Sequence, residues 1–123
     1  NIKGNFIFSE KITSQIKFEF IDYEKIEIFI PKYGLDFHST YGSNKYNISV
    51  GLNMFFKNHG ITLTNKPFEM APYINLKLNS TYKLSDKLSI HLNIDNILNR
   101  YNEIYYMYPE IGINLLSGLT WKF

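Results

Sequence analysis

The chain has no cysteine and only one alanine, Ala71, and each absence excludes a class of structure. Without cysteine it can form no disulfide framework, thiol nucleophile or thiolate metal site. Because alanine is the best helix former, its scarcity argues against a helical fold. No apolar run approaches the roughly 20 residues that a membrane-spanning helix needs, so a helical membrane protein is excluded as well.

Strong charge of one sign is also missing. The 13 basic and 11 acidic residues are scattered along the chain, so no basic stripe marks a nucleic-acid surface and we expect no nucleic-acid partner. No nucleophile elbow, phosphate loop or paired-carboxylate motif appears, so we expect no enzyme, no catalytic residue and no cofactor. His38, His59 and His91 are far apart in sequence, and we expect no metal site.

Aromatic residues are abundant, at 17% of the 123 residues, which is typical of a β-rich domain. In "YNISVGLNMFF", apolar residues from Tyr46 to Phe56 alternate with small or polar residues, and this period of two predicts a strand. The same alternation predicts strands in "YGLDFHSTY", "YINLKLNSTYKL", "LSIHLNID" and "INLLSGLTWKF", and more weakly in "IKGNFIFS" and "QIKFEFI".

The connections between these segments are alternately short and long. This asymmetry predicts an all-β, antiparallel up-and-down sheet of about seven strands, with every short turn at one end. In transmembrane β-barrels of the outer membrane, short turns are periplasmic and long loops extracellular. The segment "EKIEIFIPKYG" alternates Ile26, Ile28 and Ile30, with Pro31 limiting ladder pairing, and leaves the strand number open by one or two.

The two faces of the predicted strands differ in composition. The apolar face has aliphatic residues in the middle of each strand and aromatic residues at the short-turn end, which indicates an interfacial girdle against outer-membrane lipid. Alternation alone does not decide which face is inside, but the loop asymmetry and the aromatic C-terminus favour a membrane barrel. The predicted girdle comprises Tyr41, Tyr46, Tyr82 and Trp121; the opposite, polar face carries Lys17, Glu19, Asp36, His38, Lys77, Lys83, His91 and Asp95.

One long loop, "YNEIYYMYPE", is rich in tyrosine. Stacking on tyrosine rings is a common way to hold a ligand, so these rings are candidate extracellular-loop ligand contacts. Packing among the loop tips explains the same composition equally well. The residues concerned are Tyr101, Tyr105, Tyr106 and Tyr108.

The last fifty or so residues resemble the C-terminal end of TonB-dependent outer-membrane receptors. The shared features, in order, are a proline before an alternating strand, an Asp-Asn-Leu-like motif, a "YP..G" loop and a final Gly-Leu-x-aromatic-x-Phe strand. Ile113 and Leu116 depart from the family, which commonly has arginine and a polar residue there. The matching residues are Pro72, Asp95, Asn96, Ile97, Leu98, Asn99, Arg100, Tyr101, Tyr108, Pro109, Gly112, Gly118, Leu119, Trp121 and Phe123.

The resemblance implies a bacterial outer-membrane location and a role in TonB-dependent uptake of a siderophore or similar nutrient. Gly118, Trp121 and Phe123 are similar to the signal read by the barrel-assembly machinery. Such receptors have a large barrel closed by an N-terminal plug that contacts TonB, and no plug is present in residues 1–123. Seven strands leave edges unpaired, so we expect the chain to be the C-terminal part of a larger barrel, with the remaining barrel and plug as its partners.

Two other interpretations stay open. A small complete outer-membrane barrel, structural or adhesive, would need an eighth strand, for which "IEIFI" is the candidate. A soluble β-barrel binding a small apolar ligand would place the aliphatic face inside.

Overall fold

The computed structural model describes residues 2–25 and 27–123, without the side chain of Phe8. These residues contain no helix, and hence none long and apolar enough to cross a bilayer. They form eleven strands: β1 (Ile2–Ser9), β2 (Ile12–Phe20), β3 (Tyr33–Gly42), β4 (Tyr46–Phe56), β5 (His59–Ile61), β6 (Pro67–Glu69), β7 (Tyr73–Lys83), β8 (Leu88–Asp95), β9 (Glu103–Tyr105), β10 (Tyr108–Pro109) and β11 (Asn114–Trp121).

Seven of these strands build one sheet, in the order β1-β2-β3-β4-β7-β8-β11, and every neighbouring pair is antiparallel. The prediction of an all-β, up-and-down antiparallel sheet is therefore confirmed. The sheet is open: in the described ranges no ladder joins β1 to β11, and these strands form its two edges.

The turns alternate as the sequence predicted. Residues 10–11, 43–45 and 84–87 make short turns at one end, and residues 21–32, 57–72 and 96–113 make long loops at the other. Two of the long loops contain short hairpins, β5–β6 and β9–β10, that sequence reasoning treated as irregular.

No strand forms in the described part of "IEIFI". Ile28 and Phe29 form a turn, Glu27 and Ile30 are in no regular element, and Ile26 lies outside the described residues. Phe29 adopts a left-handed φ of 62°, which interrupts an extended chain, and its N–H donates to the carbonyl of His59 at 2.8 Å. The eighth strand that a small complete barrel would need is not found in these residues.

The ladder register collects the apolar side chains on one side of the sheet, here called the apolar face. Phe37, for example, lies opposite Ile16 on one neighbour and Leu52 on the other. The buried hydrophobic residues of the described structure are Met70 and Tyr73, and neither belongs to this face. The apolar face is therefore not covered by a second layer of described residues. The apolar face comprises Ile12, Ile16, Phe18, Phe20, Tyr33, Leu35, Phe37, Tyr41, Tyr46, Ile48, Val50, Leu52, Met54, Phe56, Ile74, Leu76, Leu78, Tyr82, Leu88, Ile90, Leu92, Ile94, Leu115, Leu119 and Trp121.

The opposite side, the polar face, holds all eight polar residues predicted for it. Its side chains bond to one another within and between strands. Lys17 pairs with Glu19 at 2.6 Å, Asn53 donates to Asp36 at 2.5 Å, and Lys77 lies 3.3 Å from Asp95. The sheet thus separates a hydrogen-bonded surface from one that offers no polar partners beyond a few hydroxyls.

Hydrogen exchange tests this topology. In the described sheet, strands β1 and β11 are hydrogen-bonded on one side only, so those of their amides that point away from the sheet have no ladder partner. Backbone amides in the central strands β3, β4 and β7 should exchange at least about tenfold more slowly than these edge amides. Exchange mass spectrometry in detergent measures both sets. Equal protection of edge and centre would contradict the open sheet.

Candidate functional site

The three long loops pack together at one end of the sheet and form what we call the loop cluster, residues 21–32, 57–72 and 96–113. The rings of Phe29 and Tyr105 meet edge-on with centroids 5.2 Å apart, and Phe68 meets Tyr106 at 4.8 Å. The side-chain amide of Asn58 donates to the carbonyl of Ile104 at 3.0 Å. These contacts tie the third loop to each of the other two, so the cluster holds a defined shape.

Buried asparagines fix the third loop to the sheet, and we call Asn75, Asn96 and Asn102 the asparagine clasp. All three are 1% exposed. The Asn102 amide donates to the carbonyl of Ile74 at 2.8 Å and its oxygen accepts the Ile74 N–H at 3.2 Å, as a neighbouring strand would. The N–H of Asn96 donates to the side-chain oxygen of Asn75 at 3.1 Å. Strands β7 and β8 stop pairing beyond Leu78 and Ile94, and the clasp supplies the backbone partners that β8 would otherwise have given to β7.

The same segment explains why the "DNILNRY" and "YP..G" motifs have their residue types. Asn96 and Asn99 adopt left-handed φ angles of 51° and 48°, which asparagine tolerates better than most residues. The oxygen of Asn99 accepts the N–H of Ile113 at 3.0 Å. A Cβ on Gly112 would lie 2.7 Å from that oxygen, so a larger residue there would displace the Asn99 side chain from its bond to Ile113. Sequence reasoning found the motif but not this structural role.

The four predicted ligand-contact tyrosines divide into two groups. Tyr105 and Tyr106 pack against other loops of the cluster, as described above. Tyr101 and Tyr108 are 72% and 76% exposed. The hydroxyl of Tyr101 donates to Glu103 at 3.1 Å, and this bond raises the pKa of Tyr101. Tyr105 is also 56% exposed, so Tyr101 and Tyr108 are the most exposed of the four rings.

A cavity of about 380 Å³ lies between the polar face and the third loop. Tyr73 donates to Glu110 at 2.8 Å and accepts from Asn75 at 3.3 Å, which joins the loop to the cavity wall. One Asp95 oxygen is buried there without a hydrogen bond, although the Lys77 ammonium lies 3.3 Å away. The cavity lining comprises Tyr73, Asn75, Lys77, Asp95, Pro109, Glu110, Ile111 and Asn114.

This lining can hydrogen-bond a polar ligand through amides, carboxylates, a phenol and an ammonium group. Sequence reasoning placed Lys77 and Asp95 on the polar face but missed Tyr73 and Glu110. Tyr73 shares the odd-numbered alternation of the polar residues in β7, which was a usable signal. No sequence pattern marked Glu110 as a cavity residue, because the geometry of the loop decides its position.

A second depression, of about 340 Å³, lies near the middle of the polar face. Gly51 has no side chain there, and a Cβ would have His38 and Lys77 as its neighbours at 3.8 and 4.0 Å. His38 itself bonds to Thr40 at 3.1 Å. In residues 2–25 and 27–123 no group of three or more His, Cys, Asp or Glu side chains is placed to hold a metal ion.

The predicted girdle residues lie together on the apolar face at the short-turn end. The rings of Tyr46 and Tyr82 stack with centroids 4.8 Å apart, Tyr41 lies opposite Ile48, and Trp121 lies opposite Leu88. Their contact with lipid stays a prediction.

The predicted assembly-signal residues lie on or just beyond β11. Trp121 and Phe123 are exposed. Gly118 lies opposite His91, and a Cβ added to this glycine would meet nothing within 4 Å. The described neighbours thus give no steric reason for glycine at 118, and its role in assembly stays a prediction.

Comparison of the chain with protein families, with curated proteins and with solved structures found no match.

The asparagine clasp makes a testable prediction about stability. Asn102→Ala removes both partners of the Ile74 backbone, and leaving such groups unpaired costs about 1–3 kcal/mol. We expect a lower urea midpoint with an unchanged slope. The control is Asn79→Ala, because Asn79 is exposed and makes no side-chain hydrogen bond among the described residues. An equal loss in both variants would contradict the clasp.

Proposed function

We propose that this chain forms part of the wall of a TonB-dependent receptor in a bacterial outer membrane, where it serves in the uptake of a siderophore or similar nutrient. The observation that carries the proposal is the seven-stranded antiparallel sheet with one continuous apolar face and one polar face. Its strands of eight to eleven residues also suit a tilted crossing of the hydrocarbon layer.

The exposure of the apolar face supports contact with lipid. Leu115, Leu119 and Trp121 are each more than half exposed, and no described element covers the face. Contiguous apolar surface of this extent marks an interaction surface, and the aromatic residues at its short-turn end match the interfacial girdle of outer-membrane barrels. The hydroxyls of Ser14 and Ser39 satisfy each other at 2.8 Å, so they need no water on that face.

The open edges support a larger barrel. In hydrocarbon an unpaired backbone group costs several kcal/mol, so sheets that cross a membrane are closed. β1 and β11 each have one unpaired side in the described sheet, and strands of the remaining barrel would pair there. The polar face would then line the lumen, with both polar cavities facing the transported ligand.

The transport role is supported by the ordered C-terminal motif and by the shape of the loops. Asn96 of that motif joins the third loop to Asn75 of the sheet, and Asn99 and Gly112 close the loop on itself. Tyr101 and Tyr108 are exposed on the same loop that forms one wall of the 380 Å³ cavity. We assign these two tyrosines as ligand contacts, and Tyr105 and Tyr106 as loop-packing residues.

Paired substitutions on β7 test the membrane orientation. Leu78 is at the centre of the strand on the apolar face, and its neighbour Asn79 is on the polar face. Arginine at a lipid-facing midplane costs about 2–4 kcal/mol, whereas a lumen position is water-filled. We expect Leu78→Arg to lower folding stability in lipid vesicles by that amount and Asn79→Arg to have little effect. Equal effects would contradict a lipid-facing apolar face.

Uptake assays test the transport role. We expect cells lacking this protein, and cells lacking TonB, to lose uptake of the same member of a labelled panel of ferric siderophores, haem and cobalamin. Tyr108→Ala should weaken binding of that ligand by about 2- to 10-fold through lost stacking, without loss of stability. Tyr106→Ala is the packing control, which should instead loosen the loop cluster. If both deletion strains still take up every member of the panel, the proposal is overturned.

A further inference from the structure

Positive charge is concentrated at the short-turn end of the sheet. Five lysines and two carboxylates lie in or next to the short turns, whereas the three long loops carry five basic and six acidic residues. The short-turn group, here called the lysine rim, comprises Lys11, Lys45, Lys83, Lys87 and Lys122, and the two carboxylates are Glu10 and Asp86.

The lysine rim has no ion pairs. In the described chain no carboxylate lies within 4.0 Å of any of its five ammonium groups, although Lys17, Lys32, Lys57 and Lys77 elsewhere are all paired. All five rim lysines are exposed. Their charges are therefore available to an external anion.

The backbone also holds rim lysines next to one another. The N–H of Lys83 donates to the carbonyl of Lys45 at 2.9 Å, and that of Lys122 to the carbonyl of Lys87 at 2.8 Å. Like charges held next to each other repel, and a bound anion would relieve that repulsion.

A cavity spans this rim between the first two short turns. Its volume is about 800 Å³, and its walls combine Lys11 and Lys45 of the turns with Tyr41 and Tyr46 of the apolar face. Glu10, Gly42, Ser43 and Asn44 complete the lining. A Cβ on Gly42 would meet nothing within 4 Å, so the cavity is open there.

We propose that this cavity binds the phosphate headgroup of an anionic phospholipid from the adjoining membrane leaflet. An occupant that contacts both the lysines and the tyrosines of the apolar face must be amphiphilic. This chemistry favours a lipid over a soluble anion or an acidic peptide. The inference rests on the proposed function, which places the apolar face in a bilayer and the girdle tyrosines at its interface.

Fluorescence quenching by brominated lipids tests the site. Trp121→Phe removes the only tryptophan of the chain, and Tyr41→Trp then places a single reporter in the cavity wall. The protein carrying both changes is reconstituted in phosphatidylcholine vesicles that contain either brominated phosphatidylglycerol or brominated phosphatidylcholine. We expect phosphatidylglycerol to be preferred at the reporter by about fivefold for each lysine engaged, and the preference to fall with added salt.

Charge variants in this reporter background locate the preference. Lys11→Gln with Lys45→Gln should remove it. The matched control, Lys25→Gln with Lys66→Gln, changes two exposed and unpaired lysines of the long loops and should leave it intact. A preference that survives the first pair, or is lost equally in the control, would overturn the site.

The remaining outcomes separate this inference from the proposed function. Quenching by neither lipid would mean that the apolar face does not contact lipid, and the proposed function would fail with the inference. Equal quenching by both lipids would leave the membrane proposal standing and overturn headgroup selection. If inorganic phosphate or polyglutamate abolishes the preference more strongly than sodium chloride of matched ionic strength, the cavity is a site for a soluble anion or an acidic peptide, and the lipid assignment is wrong.

Discussion

The backbone ladder of the seven-stranded sheet is the constraint on which the other features depend. Because side chains alternate with a period of two, one register places most apolar residues of the sheet on one side, and the ion pairs Lys17–Glu19 and Lys77–Asp95 on the other. A slip of one residue in β4 would put Asn53 among the aliphatic side chains and Leu52 beside Asp36. The register of Phe37 with Leu52, and of Leu52 with Leu76, thus fixes the two chemically different faces.

The ladder ends where the long loops begin, and buried amides take over its function there. Asn102 satisfies both backbone groups of Ile74, and Asn75 receives the N–H of Asn96. An amide side chain is the one neutral group that can donate and accept like a peptide bond, which accounts for the repeated use of asparagine. The clasp lets a loop of 18 residues return to the sheet without leaving the backbone N–H and carbonyl of Ile74 unpaired.

Under the proposed function, the two ends of the sheet have different tasks. The loop end combines exposed tyrosines with a polar cavity, which suits recognition of a ligand arriving from outside. The short-turn end combines stacked tyrosines with unpaired lysines, which suits anchoring to a lipid surface. The difference arises from loop length, since only the long connections are able to fold over the polar face.

The sequence by itself determined the seven strands of the main sheet, their antiparallel order, the two faces and the alternation of short and long connections. These features follow from local periodicity and turn length, which neighbouring residues encode. It did not determine that the rings of Tyr105 and Tyr106 meet Phe29 and Phe68 of other loops, nor that Glu110 reaches Tyr73. Only the tertiary structure decided these contacts, because they join segments far apart in the chain.

The interruption of "IEIFI" has the same origin. Its alternation is compatible with a strand, but Phe29 bonds to the backbone of His59 in another loop and takes a left-handed φ. Periodicity shows that a segment is compatible with a strand. Whether the strand forms depends on the hydrogen-bond partner that the tertiary structure places beside it.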